Sequence, residues 1–324
     1  IRDRFERIFG VFHDYFELAP DAEITIEANP GRLAPELLAA LKSVGVNRIS
    51  LGVQSSNPEE LKALDRLHGY SEAVEAVRAA RQAGFDNLSM DLIFGVPLQT
   101  MQTWEKSIQD VLALQPEHVS LYALTVEEGT PLSRKVAAGP VTVAEDDLAA
   151  DMYDLALELL GSSGFEHYEI SNWAKSSADG KFISQHNRQY WLNQPYLGLG
   201  AGAHGYYRQI RYANLRGLVE YIRRLEAADR QDPDFSPAAE ELTAIEGYRE
   251  MQETMMMGLR LLQEGVAASR FAARFGVEME EVFPREIAEF IEKGLLEWRE
   301  QPERALRLTE RGALLGNQVF SAFV

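Results

Sequence analysis

The sequence contains no cysteine among its 324 residues. This absence excludes disulfides, thiolate zinc sites and cysteine-ligated iron–sulfur clusters within these residues. Apolar runs are short, and none reaches the roughly 18 residues that span a bilayer. Basic residues are outnumbered, with 32 Lys and Arg against 50 Asp and Glu, which gives a net charge of -18. This balance argues against a nucleic-acid partner, and the lack of a signal peptide predicts a cytoplasmic protein.

The start of the chain is unusual. The first residue is Ile1, and apolar residues follow it at helical spacing without a capping residue ahead of them. We interpret this pattern as a chain that begins inside a helix, with upstream sequence missing. The alternative is an amphipathic N-terminal helix whose initiator methionine is not shown.

Strands and helices alternate through the first half of the chain. The segment Asn87–Pro97, NLSMDLIFGVP, is typical of a strand buried on both faces. Further strands are predicted, with helices between them, at Glu23–Asn29, Arg48–Gln54, His118–Thr125 and Phe165–Ile170. This alternation predicts an α/β fold with consecutive parallel strands and right-handed crossovers. A barrel or an open arc is favoured over a dinucleotide-binding sheet, because no GxGxxG follows the first strand.

Polar residues recur near the ends of four of these strands, at Glu27, Gln54, Asp91 and Thr125. In an α/β barrel the carboxyl ends of the strands share one face, where binding sites are built. A carboxylate inside a buried strand, such as Asp91, is costly unless a partner stabilises it. That partner is either a ligand at this face or a neighbouring backbone group, and the pattern leaves both open.

The segment Ser176–Gly205 breaks the alternation. It contains HNRQYW from His186 to Trp191, followed by the glycine-rich YLGLGAGAHG. An imidazole is a usual iron ligand, and Tyr190 and Trp191 offer flat faces to a flat aromatic ligand. The alternative is a loop hairpin with core aromatic residues and a histidine that bonds to backbone.

The last third of the chain predicts a separate domain. The turn-rich segment Asp229–Pro237 is the best boundary, and the chain is divided into residues 1–175, a connecting region at 176–237 and a C-terminal domain at 238–324. Three helices with a two-stranded hairpin predict a small winged-helix-like module. Its many glutamates favour packing or partner contact over DNA binding. The methionine row from Met251 to Met257 is interpreted as core filling.

Eight motifs occur in a characteristic order: ITIEANPG, NRISLGVQS, LHGY, MDLIFGVP, LYALTVEEGTPL, HYEISNWA, HNRQYW and LGLGAGAH. With them the chain closely resembles the oxygen-independent coproporphyrinogen III oxidase-like radical SAM proteins, and within these the haem chaperone (HemW-type) branch. The resemblance covers essentially the whole sequence. It implies a partial radical SAM (β/α)6 barrel that lacks its first strands, followed by a small, mostly helical, winged-helix-like C-terminal domain.

The sequence also departs from the family pattern. The family's first strand-loop carries a CxxxCxxC motif for a [4Fe–4S] cluster, and its second strand carries a glycine-rich motif for the methionine end of S-adenosylmethionine. Neither motif is present here, and the chain starts roughly where the family's second barrel helix is expected. The resemblance therefore implies the cluster for the full-length form alone, and this sequence by itself cannot carry out radical chemistry.

The resemblance assigns candidate residues to two ligands. Positions that contact S-adenosylmethionine in the family match Glu27, Gln54, Arg66, Asp91 and Ala123. The carboxylates can accept hydrogen bonds from hydroxyl or amino groups, and Arg66 can meet a carboxylate through a two-pronged contact. By the same resemblance His186 is the candidate ligand of haem b iron, and Tyr190 and Trp191 pack on its macrocycle.

Three functional hypotheses follow. The first is a haem chaperone that binds haem and passes it to respiratory haem proteins at the membrane surface. The second is an enzyme, the oxygen-independent coproporphyrinogen III oxidase, which forms protoporphyrinogen IX by oxidative decarboxylation with S-adenosylmethionine as the radical source. The third is a degenerate fragment that folds poorly because a barrel without its first strands has an open edge. Peripheral membrane contact and a homodimer are compatible with each active form.

Overall fold

The computed structural model describes residues 2–139, 142–177, 179–228 and 235–324. The chain divides into two compact units, Ile1–Gln185 and His186–Val324. The three-part division into residues 1–175, 176–237 and 238–324 stays a prediction. Residues 229–234 of the predicted linker lie outside the described residues.

The first unit alternates strands and helices along the chain. In order these are α1 (Arg2–Tyr15), β1 (Thr25–Ala28), α2 (Pro35–Ser43), β2 (Arg48–Gln54), α3 (Pro58–Ala63), α4 (Tyr70–Gln82), β3 (Leu88–Phe94), α5 (Met101–Ala113), β4 (His118–Ala123), α6 (Pro131–Ala137), α7 (Asp146–Ser162), β5 (Phe165–Glu169) and β6 (Asn172–Lys175). The five predicted strands are all present. Strand β2 has the predicted ends, and the ends of the others differ from the expectation by at most three residues.

The strands form one six-stranded sheet in the order β1-β2-β3-β4-β6-β5. The first four strands pair in parallel, as the alternation predicts. The prediction of an unbroken parallel series is wrong at the far end, because β6 pairs antiparallel with both β4 and β5. Strand β6 follows β5 after a two-residue turn, and so short a connection makes a hairpin rather than a parallel crossover.

One face of this sheet is apolar and packs against helices. Alternate residues of β2, β3 and β4 point to this face, beginning with Ile49, Leu88 and Val119, and all except the terminal Ala123 are almost completely buried. They share one core with apolar residues of α2, α4, α5 and α7, including Trp104 and Met152. Helices on this face give the α/β architecture that the sequence predicts.

The opposite face of the sheet is polar. We define the polar face by the intervening residues of β1 to β4, which are Thr25, Glu27, Arg48, Ser50, Ser89, Asp91, His118 and Ser120. Arg48, Ser89, His118 and Ser120 are buried despite their polarity. Buried polar groups need partners, so this face requires either an internal hydrogen-bond network or a ligand.

The second unit is more helical. Its elements are α8 (Gln185–Trp191), β7 (His204–Tyr207), β8 (Ile210–Asn214), α9 (Leu218–Ala227), β9 (Ala239–Ala244), α10 (Tyr248–Gly258), β10 (Val266–Ala267), α11 (Ala268–Phe275), α12 (Met279–Val282), α13 (Pro284–Glu292), β11 (Leu296–Arg299), β12 (Ala305–Leu308), α14 (Glu310–Leu314) and α15 (Gly316–Phe320). The predicted small helical domain is confirmed, with strand β10 added to its two-stranded hairpin.

A second small sheet, β7-β8-β9, was not expected from the sequence. It is joined to α10 and α11 by charged groups around Glu250, which is 6% exposed. Tyr206 and Gln209 donate hydrogen bonds to this carboxylate, and Arg274 forms an ion pair with it at 2.5 Å. Met255 of the predicted core row is fully buried in α10. None of the described helices is long and apolar enough to cross a membrane.

Candidate functional site

Asp91 lies in the middle of β3 on the polar face. The hydroxyl of Ser50 donates to its two carboxylate oxygens at 3.0 and 3.1 Å. Burial raises the pKa of Asp91, while hydrogen bonds from Ser120 and Ser50 and the positive charge of Arg48 act in the opposite direction. The partners of this carboxylate are thus in part side-chain hydroxyl groups of neighbouring strands, whereas the sequence analysis expected a ligand or a backbone group.

A hydrogen-bonded chain continues from Asp91 across the sheet. Ser89 contacts Asp91 at 3.5 Å and His118 Nδ1 at 2.8 Å. His118 Nε2 lies 2.8 Å from the hydroxyl of Tyr168. Burial holds the pKa of His118 well below its ordinary value, and the nearby charge of Arg48 lowers it further. The imidazole is therefore neutral near pH 7, so that one ring nitrogen donates and the other accepts.

Arg48 is the residue of this face that sequence reasoning missed. Its side chain is 4% exposed, and its Nε has no hydrogen-bond partner among the described residues. No Asp or Glu in the described part of the chain forms an ion pair with it. The sequence does show a basic residue at the start of an apolar strand, which could have marked Arg48 as a candidate. The burial of this residue, however, depends on tertiary packing.

The strand-end residues assigned by resemblance lie at the carboxyl edge of the sheet. Glu27 is exposed in β1, and its negative charge contributes to raising the pKa of Asp91. Gln54 ends β2 with a positive φ of 68°. Ala123 ends β4, but the alternation of side chains places its neighbour Tyr122, which is 43% exposed, on the polar face. Tyr122 is a second residue that the sequence analysis missed.

Arg66 lies just beyond this edge. It is exposed in the segment after α3 and lines a cavity of about 590 Å³ together with Asn29, Asp65, His68 and other polar residues. Asn29 directly follows β1, so the cavity adjoins the carboxyl end of that strand. The edge thus offers carboxylate acceptors and a guanidinium donor to a ligand with both amino and carboxylate groups. These residues fit the polar groups of S-adenosylmethionine.

The HNRQYW motif forms helix α8 rather than a loop hairpin. His186 is exposed, and its ring meets Tyr190 edge-on with centroids 4.8 Å apart. Tyr190 in turn meets Tyr196 at 4.5 Å. We call His186, Tyr190 and Tyr196 the aromatic row. Burial raises the pKa of both tyrosines, so their hydroxyls stay protonated near neutral pH.

Trp191 does not join this row. It lies five residues after His186, which corresponds to about 140° around the helix axis. Its indole lines a different cavity of about 180 Å³, near Val266 and Phe271, and the Arg260 guanidinium lies 5.1 Å from its ring. The three residues proposed from the motif are therefore divided between two faces of one short helix.

The glycine-rich loop after α8 is held rigidly by side chains. The amide nitrogen of Gly198 donates to the hydroxyl oxygen of Tyr212 at 3.0 Å, and Asn214 Nδ2 donates to the carbonyl oxygens of Gly198 and Gly200 at 3.0 and 2.9 Å. A Cβ atom at Gly198 would overlap the carbonyl oxygen of His204. Glycine is thus required where the loop approaches β7.

A thiolate-ligated cluster does not fit the residues of this chain, because the sequence has no cysteine. The described residues also contain no group of three or more His, Asp or Glu side chains that could hold a metal ion. Haem makes a smaller demand on the protein, because the porphyrin supplies four nitrogen ligands and leaves only axial positions. An exposed imidazole such as His186 meets that demand.

Comparisons with known proteins concern the family and the fold of the chain. The family model for the radical SAM superfamily matches residues 2–111, and the model for the HemN C-terminal domain matches residues 249–315. Among solved structures, the coproporphyrinogen III oxidase HemN from Escherichia coli, described as a radical SAM enzyme, aligns with a TM-score of 0.79. That alignment covers 100% of this chain and 74% of HemN at 19% identity, so it shows the fold.

Two curated relatives are more similar in sequence. The heme chaperone HemW of Bacillus subtilis is 37% identical over 94% of this chain and 76% of its own length. The heme chaperone HemW of Lactococcus lactis is 34% identical over 98% of this chain and 80% of its own length. The resemblance identified from the motifs is confirmed, and the chain belongs to the HemW family of the radical SAM superfamily.

Proposed function

We propose that this chain binds haem and delivers it to other proteins, which is the activity that the names of its curated relatives describe. The observation that carries the proposal is the exposed imidazole of His186, which stands beside Tyr190 on α8. An imidazole nitrogen can bind haem iron axially, while neighbouring aromatic rings can pack against the porphyrin. In this proposal Trp191 orients α8 from its opposite face, while Tyr190 contacts the ligand.

We further propose that the carboxyl edge of the sheet binds S-adenosylmethionine through Glu27, Gln54, Arg66, Asp91 and Ala123. Exposed carboxylate oxygens at Glu27 and the cavity beside Arg66 support this assignment. When bound beside a cluster, this cofactor supplies a 5′-deoxyadenosyl radical, whereas the residues of this chain bind and orient it. The same proposal includes a cytoplasmic location and respiratory haem proteins at the membrane surface as recipients.

Coproporphyrinogen III oxidase activity has weaker support. The likeness to HemN is at 19% identity and concerns the fold. The two curated relatives from Bacillus subtilis and Lactococcus lactis, at 37% and 34% identity, are named heme chaperones. Anaerobic turnover of coproporphyrinogen by a form with a reconstituted cluster would favour the oxidase over the chaperone.

An absorbance titration with haem under anaerobic conditions tests the proposal. We expect saturable binding by the wild-type chain, and we expect His186→Ala to weaken it several-fold because an axial ligand is lost. His13→Ala is the matched control, since His13 is also an exposed histidine, on α1. Equal affinity of the His186→Ala variant and the wild type would contradict the ligand assignment, and no binding by the folded wild type would contradict the proposed function.

A further inference from the structure

The turn that ends β2 is strained at Gln54. The φ angle of this residue is 68°, in the left-handed region that a residue with a Cβ atom rarely adopts. The amide nitrogen of Ser55 donates to the carbonyl oxygen of Val53 at 2.9 Å, which closes a three-residue γ-turn around Gln54. The form of this turn with a positive φ is rare and strained. Such strain persists only where the surrounding residues hold it in place.

The strained turn directs the Gln54 side chain back over Gly52. A Cβ atom at Gly52 would lie 2.7 Å from Gln54 Nε2, which is closer than two such atoms can pack. Gly52 is the register partner of Asp91 on β3, and the register of the two strands shifts between Gly52 and Gln54. The Gln54 amide group therefore lies over the strand position that is paired with Asp91. It makes no hydrogen bond within the described part of the chain, so it can bind a ligand there.

Buried side chains fix the backbone that follows this turn. Glu60 on α3 and Ser55 are both completely buried. Ser55 Oγ donates to Glu60 Oε2 at 2.6 Å and accepts from the amide nitrogen of Asn57 at 2.9 Å. The amide nitrogen of Ser56 donates to Oγ of the buried Ser107, on α5, at 3.1 Å. These contacts hold the segment after β2 in one conformation, and Glu60 is their only carboxylate.

Glu60 is also linked to the end of the next strand. Gln99 Nε2 donates to Glu60 Oε2 at 3.1 Å and to the carbonyl oxygen of Ile93 in β3 at 3.3 Å. Gln99 Oε1 accepts from the amide nitrogen of Val96 at 3.2 Å. One carboxylate oxygen thus joins the carboxyl ends of β2 and β3. The other, Oε1, is buried without a hydrogen-bond partner among the described residues, and such an unfavourable group is typical of a functional site.

We propose that Glu60 is a positioning residue, which holds the strained turn through Ser55 and so sets the amide of Gln54 for contact with the ligand. Gly52 completes this arrangement, because any side chain at that position would displace the amide from the strand position paired with Asp91. This inference rests on the proposed binding of S-adenosylmethionine at the carboxyl edge of the sheet. The amide is oriented when the chain folds, so the ligand does not have to order it on binding.

Calorimetric titration of the 324-residue chain with S-adenosylmethionine tests the proposal. We expect Gly52→Ala, Ser55→Ala and Glu60→Gln each to weaken binding several-fold. In a Gln54→Ala background none of them should weaken it further, because the amide through which all three act is gone. Gly161→Ala is the matched control and should bind like the wild type, since a Cβ atom there meets no neighbouring group within 4 Å.

Urea denaturation tests the strain without the ligand. Gln54→Gly should have a higher midpoint than Gln54→Ala, because glycine adopts a positive φ without steric conflict. Both variants lose the same amide, so the comparison isolates the backbone.

Three results would overturn the inference and leave the proposed cofactor site intact. The first is wild-type affinity in the Gly52→Ala and Glu60→Gln variants. The second is an equal loss of affinity in the wild-type and Gln54→Ala backgrounds, which would indicate a general structural effect. The third is a Gln54→Gly variant that is no more stable than Gln54→Ala. Absence of saturable binding by the folded wild type would overturn the inference together with the proposed cofactor site, whereas haem binding is tested separately.

Discussion

At the scale of single residues, Arg48 is a buried cation of the polar face with no ion pair among the described residues. Its side chain is 4% exposed, yet Nε has no hydrogen-bond partner within the described ranges. Burial of a charge costs free energy that an ion pair or hydrogen bonds normally offset. The charge of Arg48 lowers the pKa values of two neighbouring groups on this face, Asp91 and His118. Sequences tend to keep such locally unfavourable groups at functional sites.

Replacement of this arginine should stabilise the chain. We expect Arg48→Met to raise the free energy of unfolding, because an apolar side chain of similar length removes a buried charge that has no ion pair among the described residues, and this gain should exceed the lost electrostatic support for Asp91. Urea denaturation measures the change. Arg81→Met is the matched control and should destabilise, since Arg81 donates to Glu117 at 2.9 Å and to two backbone carbonyls. A larger loss for Arg48→Met than for Arg81→Met would refute this reasoning.

At the scale of elements, the β5–β6 hairpin ends the sheet and contains a half-buried histidine. His167 lies opposite Trp173 in the register, and the two rings stack at 4.1 Å with an interplanar angle of 4°. The hydroxyl of Tyr153 lies 3.2 Å from His167 Nε2. Burial lowers the pKa of His167 from 6.5 to about 4, so the folded protein holds this ring neutral.

The hairpin should therefore lose stability in mild acid. Between pH 6.5 and 4 the unfolded chain binds a proton at His167 and the folded chain does not, so the free energy of unfolding falls as the pH falls. The loss reaches about 3 kcal/mol near pH 4 and grows no further below it. Urea denaturation across this interval measures the slope, and His167→Gln should flatten it relative to His13→Gln. Equal slopes for the two variants would show that His167 does not cause the loss.

At the scale of the whole molecule, the two compact units have separate stabilising networks. In the first unit a continuous apolar core joins the sheet to its helices. In the second, buried carboxylates at Glu250 and Glu253 pair with Arg274 and Arg211 and link the small sheet to α10 and α11. Separate networks predict that damage to one unit leaves the other folded.

Arg274→Met should unfold the second unit selectively. The substitution leaves Glu250 buried without its cation, at an expected cost of about 3 kcal/mol. Hydrogen exchange followed by mass spectrometry should show lost protection in peptides from residues 186–324 and unchanged protection before residue 186. Arg223→Met, which breaks an exposed pair with Glu220, should change little. Equal loss of protection in both units would contradict the prediction that the two units are stabilised by separate networks.

The sequence by itself determined those features that depend on local periodicity and on ordered motifs. The alternation of apolar residues located β1 to β4. The polar pattern placed Glu27 and Gln54 near strand ends, whereas Asp91 lies in the middle of β3, and the shared site of the three residues stays a prediction. The motifs identified the family, which the curated relatives confirm. Side-chain spacing along one segment is enough for such inferences, because each element buries one of its own faces.

The tertiary structure decided features that depend on which segments meet. The sequence around Asn172 does not reveal that β6 inserts between β4 and β5, because strand pairing joins residues about 50 positions apart in the chain. The same holds for the burial of Arg48, for the position of Trp191 away from His186 and for the pairing of Tyr196 with Tyr206. Each of these features depends on contacts between different elements. The pattern of residues along one segment does not show which other segments it contacts.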